Sequence, residues 1–428
     1  MTYRINKVNA YNGWDPLKQV VLGNVYLPEF FDGMPDVKLM DMFKRIMEET
    51  HEDLDGIEST LKEHGVDVVR LPAGTTSVDT LHSKDGTAIK PESIKDYIDG
   101  NVELQGAPRP ALAPRDNFIT LGNKVLQTTS TQELEEFIDP ECLDNRLISQ
   151  YEYHQEMNTR LIANNKTYAG PFVPGQKFLE ELFGEEFKYN PEWFDKEKRA
   201  DIWRFGDKEH PDYDPLFEPV MNYTWFCWAP TMTRVGDTII YDVEEITNMD
   251  KVISKFTPQF KKSKVAIGGH NDGTFCLAKP GLCISASWGR KEDFEKTLPG
   301  WEILVLKQET EQAMSSEFGN WWDQKNLTRG KWWHPGVKEN PEMINFVDQW
   351  LNKWVGYAEE SIFEVNMLSL NPECILSLNY QENIHAKLRE HGIEPIYCRF
   401  RHRNFWDAGL HCLTVDTLRE GGQQNYGL

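Results

Sequence analysis

Near the end of the 428-residue chain, the stretch FWDAGLHCLTVDTLREGG (405–422) sets Cys412 between a glycine-bearing turn and an alternating apolar run. A thiol in that place is either a small apolar residue packed under the last strand or a nucleophile. The second role needs thiolate character, which a protonated imidazole or the electropositive end of a helix can provide. An imidazole is available in IGGHNDGTF (267–275), where His270 and Asp272 stand two residues apart. In a strand, residues i and i+2 share a face, so the pair could enter one cavity, the histidine handling protons and the carboxylate holding a cation. A polar turn displaying both groups to water accounts for the same residues. PRDNF (114–118) adds Asp116 at the start of a predicted hairpin strand, where aspartate is ordinarily a turn or cap residue. EESIFEVN (359–366) adds Glu359 and Glu360 to a run that would ordinarily be a solvated face.

One thiol, one imidazole and several carboxylates together describe a narrower chemistry. A guanidinium is planar, cationic and rich in N–H donors, so carboxylates that accept paired hydrogen bonds are its natural holders. Thiolate attack on the guanidino carbon would give a covalent amidino-cysteine, with the histidine protonating the departing amine and later activating an acceptor.

The elements that must position these groups follow from periodicity. A strand at 19–23 is followed by helical spacing of apolar residues up to Gly65 and by a second strand, VDVVRL (66–71). Residues 73–110 are polar and turn-rich, a long excursion from the scaffold. Four stretches, 116–128, 231–242, 273–287 and 365–379, each place two short apolar strands around a turn, and helix-like text such as EDFEKTL or NYQENIHAKLREHG follows several of them. The repeated unit is hairpin, helix, strand. Such repetition predicts a closed radial array, because no single unit buries both of its faces; an open mixed sheet is the ordinary alternative. Trp- and Pro-rich text at 165–222 and 308–358 reads as insertions that form either a lid or an oligomer interface.

Composition narrows the partners. The 68 acidic residues against 46 basic ones leave a formal charge of −22, which disfavours nucleic acid and would draw a cationic substrate. Seven cysteines without a CxxC pair read as free thiols of a reducing compartment. No secretory leader is recognisable at the N-terminus and no run of eighteen apolar residues occurs, so a cytoplasmic protein with no membrane partner is expected.

Four landmarks, GWDPLKQVVLG (13–23), PRD (114–116), HNDGTF (270–275) and GLHCLTVDTLREGG (409–422), resemble in kind and order those of the arginine amidinotransferases, a family of guanidino-modifying enzymes that includes glycine amidinotransferase. The resemblance spans nearly the whole chain and implies an α/β fold, a pseudo-fivefold α/β propeller of ββαβ-type modules. It would be a single domain over 1–428 carrying the two insertions. It also implies Cys412 as nucleophile, His270 as general acid/base, and Asp116 and Asp272 as the carboxylates gripping a guanidinium. Arg290, in ISASWGR, matches the arginine for a substrate carboxylate once a one-residue insertion is allowed. Arginine and an amine acceptor are the implied substrates, ornithine the released product, and neither a metal nor an organic cofactor is implied. A homodimer is left open.

Two departures stand out. The family's catalytic acid falls in a segment corresponding to CWAPTMTRVGDT (227–238), where Trp228 and Thr231 occupy the matching positions; Asp237, Asp242 and Glu244 are nearby but out of register. The paired serines that shape the acceptor site of glycine amidinotransferase align with Glu359 and Glu360, which favours a cationic acceptor. Two further readings are a deiminase-type hydrolase, in which water replaces the amine, and a guanidine-binding member without turnover.

Overall fold

The structure is a computed structural model that describes residues 3–75, 81–82, 88–89, 93–100, 107–128, 134, 137–145, 204–215, 217, 229–242, 257–265, 271–285, 291–305, 330, 333–334, 336–337, 339–351, 354, 365–378 and 382–428. In chain order, β1 (Leu17–Leu22) leads to α1 (Val37–Glu63) and β2 (Asp67–Arg70), and then to the short β3 (Leu81–His82), β4 (Ala88–Ile89) and α2 (Ile94–Ile98). Next come β5 (Phe118–Leu121), β6 (Lys124–Gln127), β7 (Leu143–Asp144), β8 (Met232–Val235), β9 (Thr238–Asp242) and β10 (Lys261–Val265). After α3 (Asn271–Thr274), β11 (Phe275–Lys279) and β12 (Leu282–Ser285) lie α4 (Lys291–Thr297), β13 (Glu302–Val305) and α5 (Pro341–Trp350). The chain ends with β14 (Leu368–Asn371), β15 (Cys374–Ser377), α6 (Glu382–Glu390), β16 (Glu394–Tyr397), α7 (Arg403–Trp406) and β17 (Thr414–Arg419).

The strands form several small sheets. Among the described residues, five of them have three strands and share one pattern: an antiparallel pair whose second strand runs parallel to a third. Four open with a hairpin, at the four stretches where turn residues separate short apolar runs. The β5–β6 and β8–β9 turns need Gly122 and Gly236, whose φ values of 65° and 61° lie in the left-handed region. The remaining sheet has the same pattern without a hairpin: β17, from the end of the chain, pairs antiparallel with β1, which runs parallel to β2. This sheet joins the two ends of the chain.

Helix α1 begins where the Asp36 side chain accepts from the Leu39 N–H at 3.0 Å. Its buried face, which includes Leu39, Phe43, Ile46, Met47, Leu54, Ile57 and Leu61, recurs at helical spacing and packs into the largest core. That core also takes in part of the second insertion. Met343, Val347 and Leu351 are buried there, and the Trp354 ring stacks between Tyr26 and Trp406 while its Nε1–H donates to the Ala107 carbonyl at 3.0 Å. One face of the described part of 308–358 therefore belongs to the core. Most of 165–222 lies outside the described residues.

A chain of buried polar contacts links all five sheets. Asp416 on β17 accepts from Arg419 on the same strand and from Arg234 on β8, and all three side chains are almost wholly buried. Arg234 Nη1 donates to the Thr120 carbonyl of β5 at 3.0 Å. Arg419 Nη1 donates to the Ser369 carbonyl of β14 at 2.9 Å and to the Asp15 carbonyl at 2.6 Å. The Ser369 hydroxyl then donates to the Ala278 carbonyl of β11 at 3.3 Å. The two guanidinium charges hold the Asp416 carboxyl well below the ordinary carboxylate range against the cost of its burial.

Removing Asp416 would leave two buried guanidinium groups without their shared counter-charge. Asp416→Ala is expected to cost about 3 kcal/mol or more, read as a lowered denaturation midpoint in urea. Because the folded-state pKa is depressed, the contribution of Asp416 is fully present above about pH 4 and is lost as pH falls below that value. Acid titration of Asp416→Asn should accordingly show a shallower loss of stability below pH 4 than the wild type. Equal slopes would contradict this account.

Candidate functional site

Cys412 lies just before β17, in a turn that starts where α7 ends. Asp407 takes a left-handed φ of 49° there, and the Leu413 N–H donates to the Gly409 carbonyl at 3.0 Å. The thiol is buried, 1% exposed, yet its surroundings are polar. Asn366 Nδ2–H donates to its sulfur at 2.9 Å, and the S–H points at Asp272 Oδ2, 3.4 Å away. The same carboxylate oxygen accepts from His411 Nδ1 at 2.9 Å. A carboxylate only accepts, so His411 donates through its Nδ1–H. Arg115 approaches from another side: its backbone N–H donates to the Cys412 carbonyl at 3.3 Å, and Nη2 donates to the Met232 carbonyl at 2.6 Å. Burial pulls the Arg115 pKa down from its ordinary value, and the charge of Asp272 opposes that shift most strongly. A buried cation, a carboxylate, an imidazole and a thiol thus share one small volume.

Three of the expected residues can be placed. Cys412 and Asp272 are brought together from opposite ends of the chain's second half. Asp272, however, lies in the single helical turn α3 ahead of β11 and not within a strand, so alternation along a strand is not what orients it. The neighbouring Asn271 explains the turn: its Nδ2 reaches back to the Thr231 and Ile240 carbonyls at 3.0 and 3.4 Å, drawing this segment against the β8–β9 hairpin. Asp116 ends a short 3-10 turn, Pro114–Asp116, and its carboxylate stands 3.7 Å from Arg109 Nη1. His270, Arg290, Glu359 and Glu360 lie outside the described residues, as does Trp228.

Three residues with a part in the site carried no signal that separates them from background. His411 is simply the neighbour of Cys412 in sequence, Arg115 the middle of PRD, and Asn366 an asparagine two residues before a strand, ordinarily a turn former. The departure near 228–231 gains no carboxylate from the described residues. Thr231 is buried and gives its carbonyl to Asn271. Asp237 is tied at the hairpin turn to Lys261, Thr238 and Asn425. Glu244 and the Asp242 side chain lie outside what is described. Among the described residues no group of three or more His, Cys, Asp or Glu is arranged to hold a metal ion, and no helix is long and apolar enough to cross a membrane.

No family model matches the chain. Comparison with curated proteins finds the mitochondrial glycine amidinotransferase of Gallus gallus, 21% identical over 441 residues, which covers 98% of this chain and 84% of that protein. The Xenopus laevis enzyme of the same name is also 21% identical, over 452 residues. Along nearly its whole length, the chain resembles the amidinotransferase family. Solved structures agree on the fold. An amidinotransferase of the saxitoxin biosynthetic pathway from Microseira wollei superposes with a TM-score of 0.51 at 17% identity, covering 98% of this chain and 99% of that one. Inosamine-phosphate amidinotransferase from Streptomyces griseus gives a TM-score of 0.51 at 16% identity, again over 98% and 99% of the two chains.

The thiols of the described residues differ in setting. Burial in apolar surroundings pushes Cys276 up to about 12 and Cys398 up to about 11, and raises Cys283 well above the ordinary thiol range. Those three are protonated and inert at neutral pH. Chloroacetamidine, an electrophile shaped like an amidino group, is expected to label Cys412 at pH 8 well before Cys276, Cys283 and Cys398 in peptide mass spectrometry. Labelling of Cys412 at the same slow rate as these three would count against a reactive thiol.

Proposed function

We propose that the protein is an amidinotransferase that moves the amidino group of arginine, or a related guanidine, to an amine acceptor through an amidino-Cys412 intermediate. The observation that carries this reading is the placement of the Cys412 sulfur between the Asn366 amide donor and the Asp272 carboxylate. Asp272 and Asp116 would grip the guanidinium. Its arrival would neutralise Asp272 and remove the charge that opposes a thiolate 3.4 Å away. The Cys412 sulfur gives its proton to His270 and adds to the guanidino carbon. The bond from that carbon to the side-chain nitrogen breaks, and the nitrogen leaves with a proton from His270 as the amine of ornithine. The acceptor amine, deprotonated by the same histidine, attacks the amidino carbon. The C–S bond breaks, giving a new guanidine and free Cys412.

In this reading Arg290 binds the substrate carboxylate, and the two glutamates Glu359 and Glu360 favour a cationic acceptor such as a diamine over glycine. The five sheets of common pattern support their arrangement as a pseudo-fivefold α/β propeller in a single domain, with the buried contacts from Thr120 through Asp416 to Ala278 running between the sheets. The net charge of −22 suits cationic substrates, and seven cysteines without a CxxC pair suit a reducing, cytoplasmic setting.

A short pulse of guanidino-labelled arginine followed by intact-protein mass spectrometry tests the intermediate. Wild type should gain one amidino unit and Cys412→Ala none. No adduct in the wild type, or an adduct that survives the substitution, would overturn it. Product analysis separates transfer from hydrolysis: ornithine and a new guanidine in the presence of a diamine is the expected result, whereas citrulline and ammonia would make the protein a deiminase-type hydrolase. Guanidinylation of glycine but not of saturating diamine would refute the cationic acceptor.

A further inference from the structure

We propose that Asn366 holds the Cys412 sulfur and favours its anionic form, and that residue 409 is glycine because the Asn366 amide occupies the space of its side chain. The proposal rests on the reading of Cys412 as the nucleophile. Asn366 is wholly buried two residues before β14, and among the described residues its side chain directs its polar contacts to one short segment. Its Oδ1 accepts from the backbone N–H groups of His411 at 2.8 Å and Cys412 at 3.2 Å. Its Nδ2 donates to the Cys412 sulfur at 2.9 Å. The two backbone donors decide which way round the amide sits. Only the oxygen can meet them, so the nitrogen is obliged to face the sulfur. An N–H donor binds a thiolate more strongly than a thiol, because the bond to an ionised acceptor is charge-assisted. On the far side, the charge of Asp272, 3.4 Å from the sulfur, favours the thiol. Asn366, together with the nearby Arg115 charge, is the counterweight: it keeps the sulfur aimed and offsets the carboxylate until a substrate cation arrives.

Gly409 supplies the second observation. A Cβ built there would stand 2.4 Å from Asn366 Cγ and 2.5 Å from its Cβ and Oδ1, distances that real atoms do not show. Gly409 is not among the described glycines with a positive φ, so backbone conformation does not demand glycine at this position. Space does. A side chain at 409 would push the amide off both the backbone donors and the sulfur. The segment that carries Cys412 is thus docked on Asn366 by two backbone hydrogen bonds, one sulfur contact and a missing side chain.

The test is the pH profile of Cys412 labelling by chloroacetamidine, read by peptide mass spectrometry on the full chain, with folding checked by thermal melting and circular dichroism. Asn366→Asp keeps an oxygen for the backbone donors but replaces the N–H at the sulfur with an acceptor; Asn366→Ala removes both functions. Each folded variant is expected to label roughly tenfold more slowly at pH 7 and to move the labelling midpoint up by about one pH unit. Gly409→Ala, which keeps the Asn366 amide but displaces it, should move the midpoint in the same direction. A merely structural role would lower the melting temperature and leave the midpoint where it is. An unchanged midpoint in either folded Asn366 variant overturns the proposal. The arginine pulse is run in parallel on the wild type. If it leaves no amidino-Cys412, the enzymatic reading fails, and the labelling midpoints still judge Asn366 on their own.

Discussion

One buried carboxylate ties the molecule together. Asp416 sits between two guanidinium groups, Arg234 from β8 and Arg419 from its own strand, and from these three side chains hydrogen bonds reach the backbone of β5, β14 and the Asp15 turn. Taking such a group out of water costs several kcal/mol per ion, and this is offset only where every charge finds its partner in good geometry. The consequence is directional. A hydrophobic contact would let neighbouring sheets slide, whereas a guanidinium with fixed donor directions lets them meet in one register.

The site hangs from the same cluster. Cys412 is two residues ahead of β17, the strand that carries Asp416, so the position of that strand sets where the thiol emerges. Arg115 joins the same neighbourhood from the turn before β5, giving its backbone N–H to the Cys412 carbonyl while its charge is felt by Asp272. Asp272 arrives on a helical turn that Asn271 pins to the β8–β9 hairpin. Asn366 arrives from the run before β14. Cys412 is therefore met by residues leading into three sheets besides its own, and no single element could supply its environment.

Much of the fold was legible because short apolar runs around turn residues announce hairpins. The β5–β6, β8–β9, β11–β12 and β14–β15 pairs all fall within the stretches that the pattern marks, and α1, α4 and α6 follow from helical spacing. The sheet that joins the chain's ends was less legible. β1 and β17 are separated by nearly the entire chain, and nothing local in LKQVVL or TVDTLR names the other as partner. The packing of the second insertion was not legible either: Trp354 completes a buried stack with Tyr26 and Trp406, a contact that composition does not reveal.

The terminal motif itself divides between two jobs. Cys412 belongs to the site, but Asp416 and Arg419, a few residues on, belong to the buried cluster, and Asp15 of the opening motif meets them there. By itself the sequence determined the α/β character, the repeated hairpins and the types of chemistry available, because periodicity and residue type are local properties. Which groups surround Cys412 was decided only by the tertiary structure. Asn366, Asp272 and Arg115 are 46, 140 and 297 positions from Cys412. A hydrogen bond depends on ångström-scale placement that only the packing of sheets against one another provides.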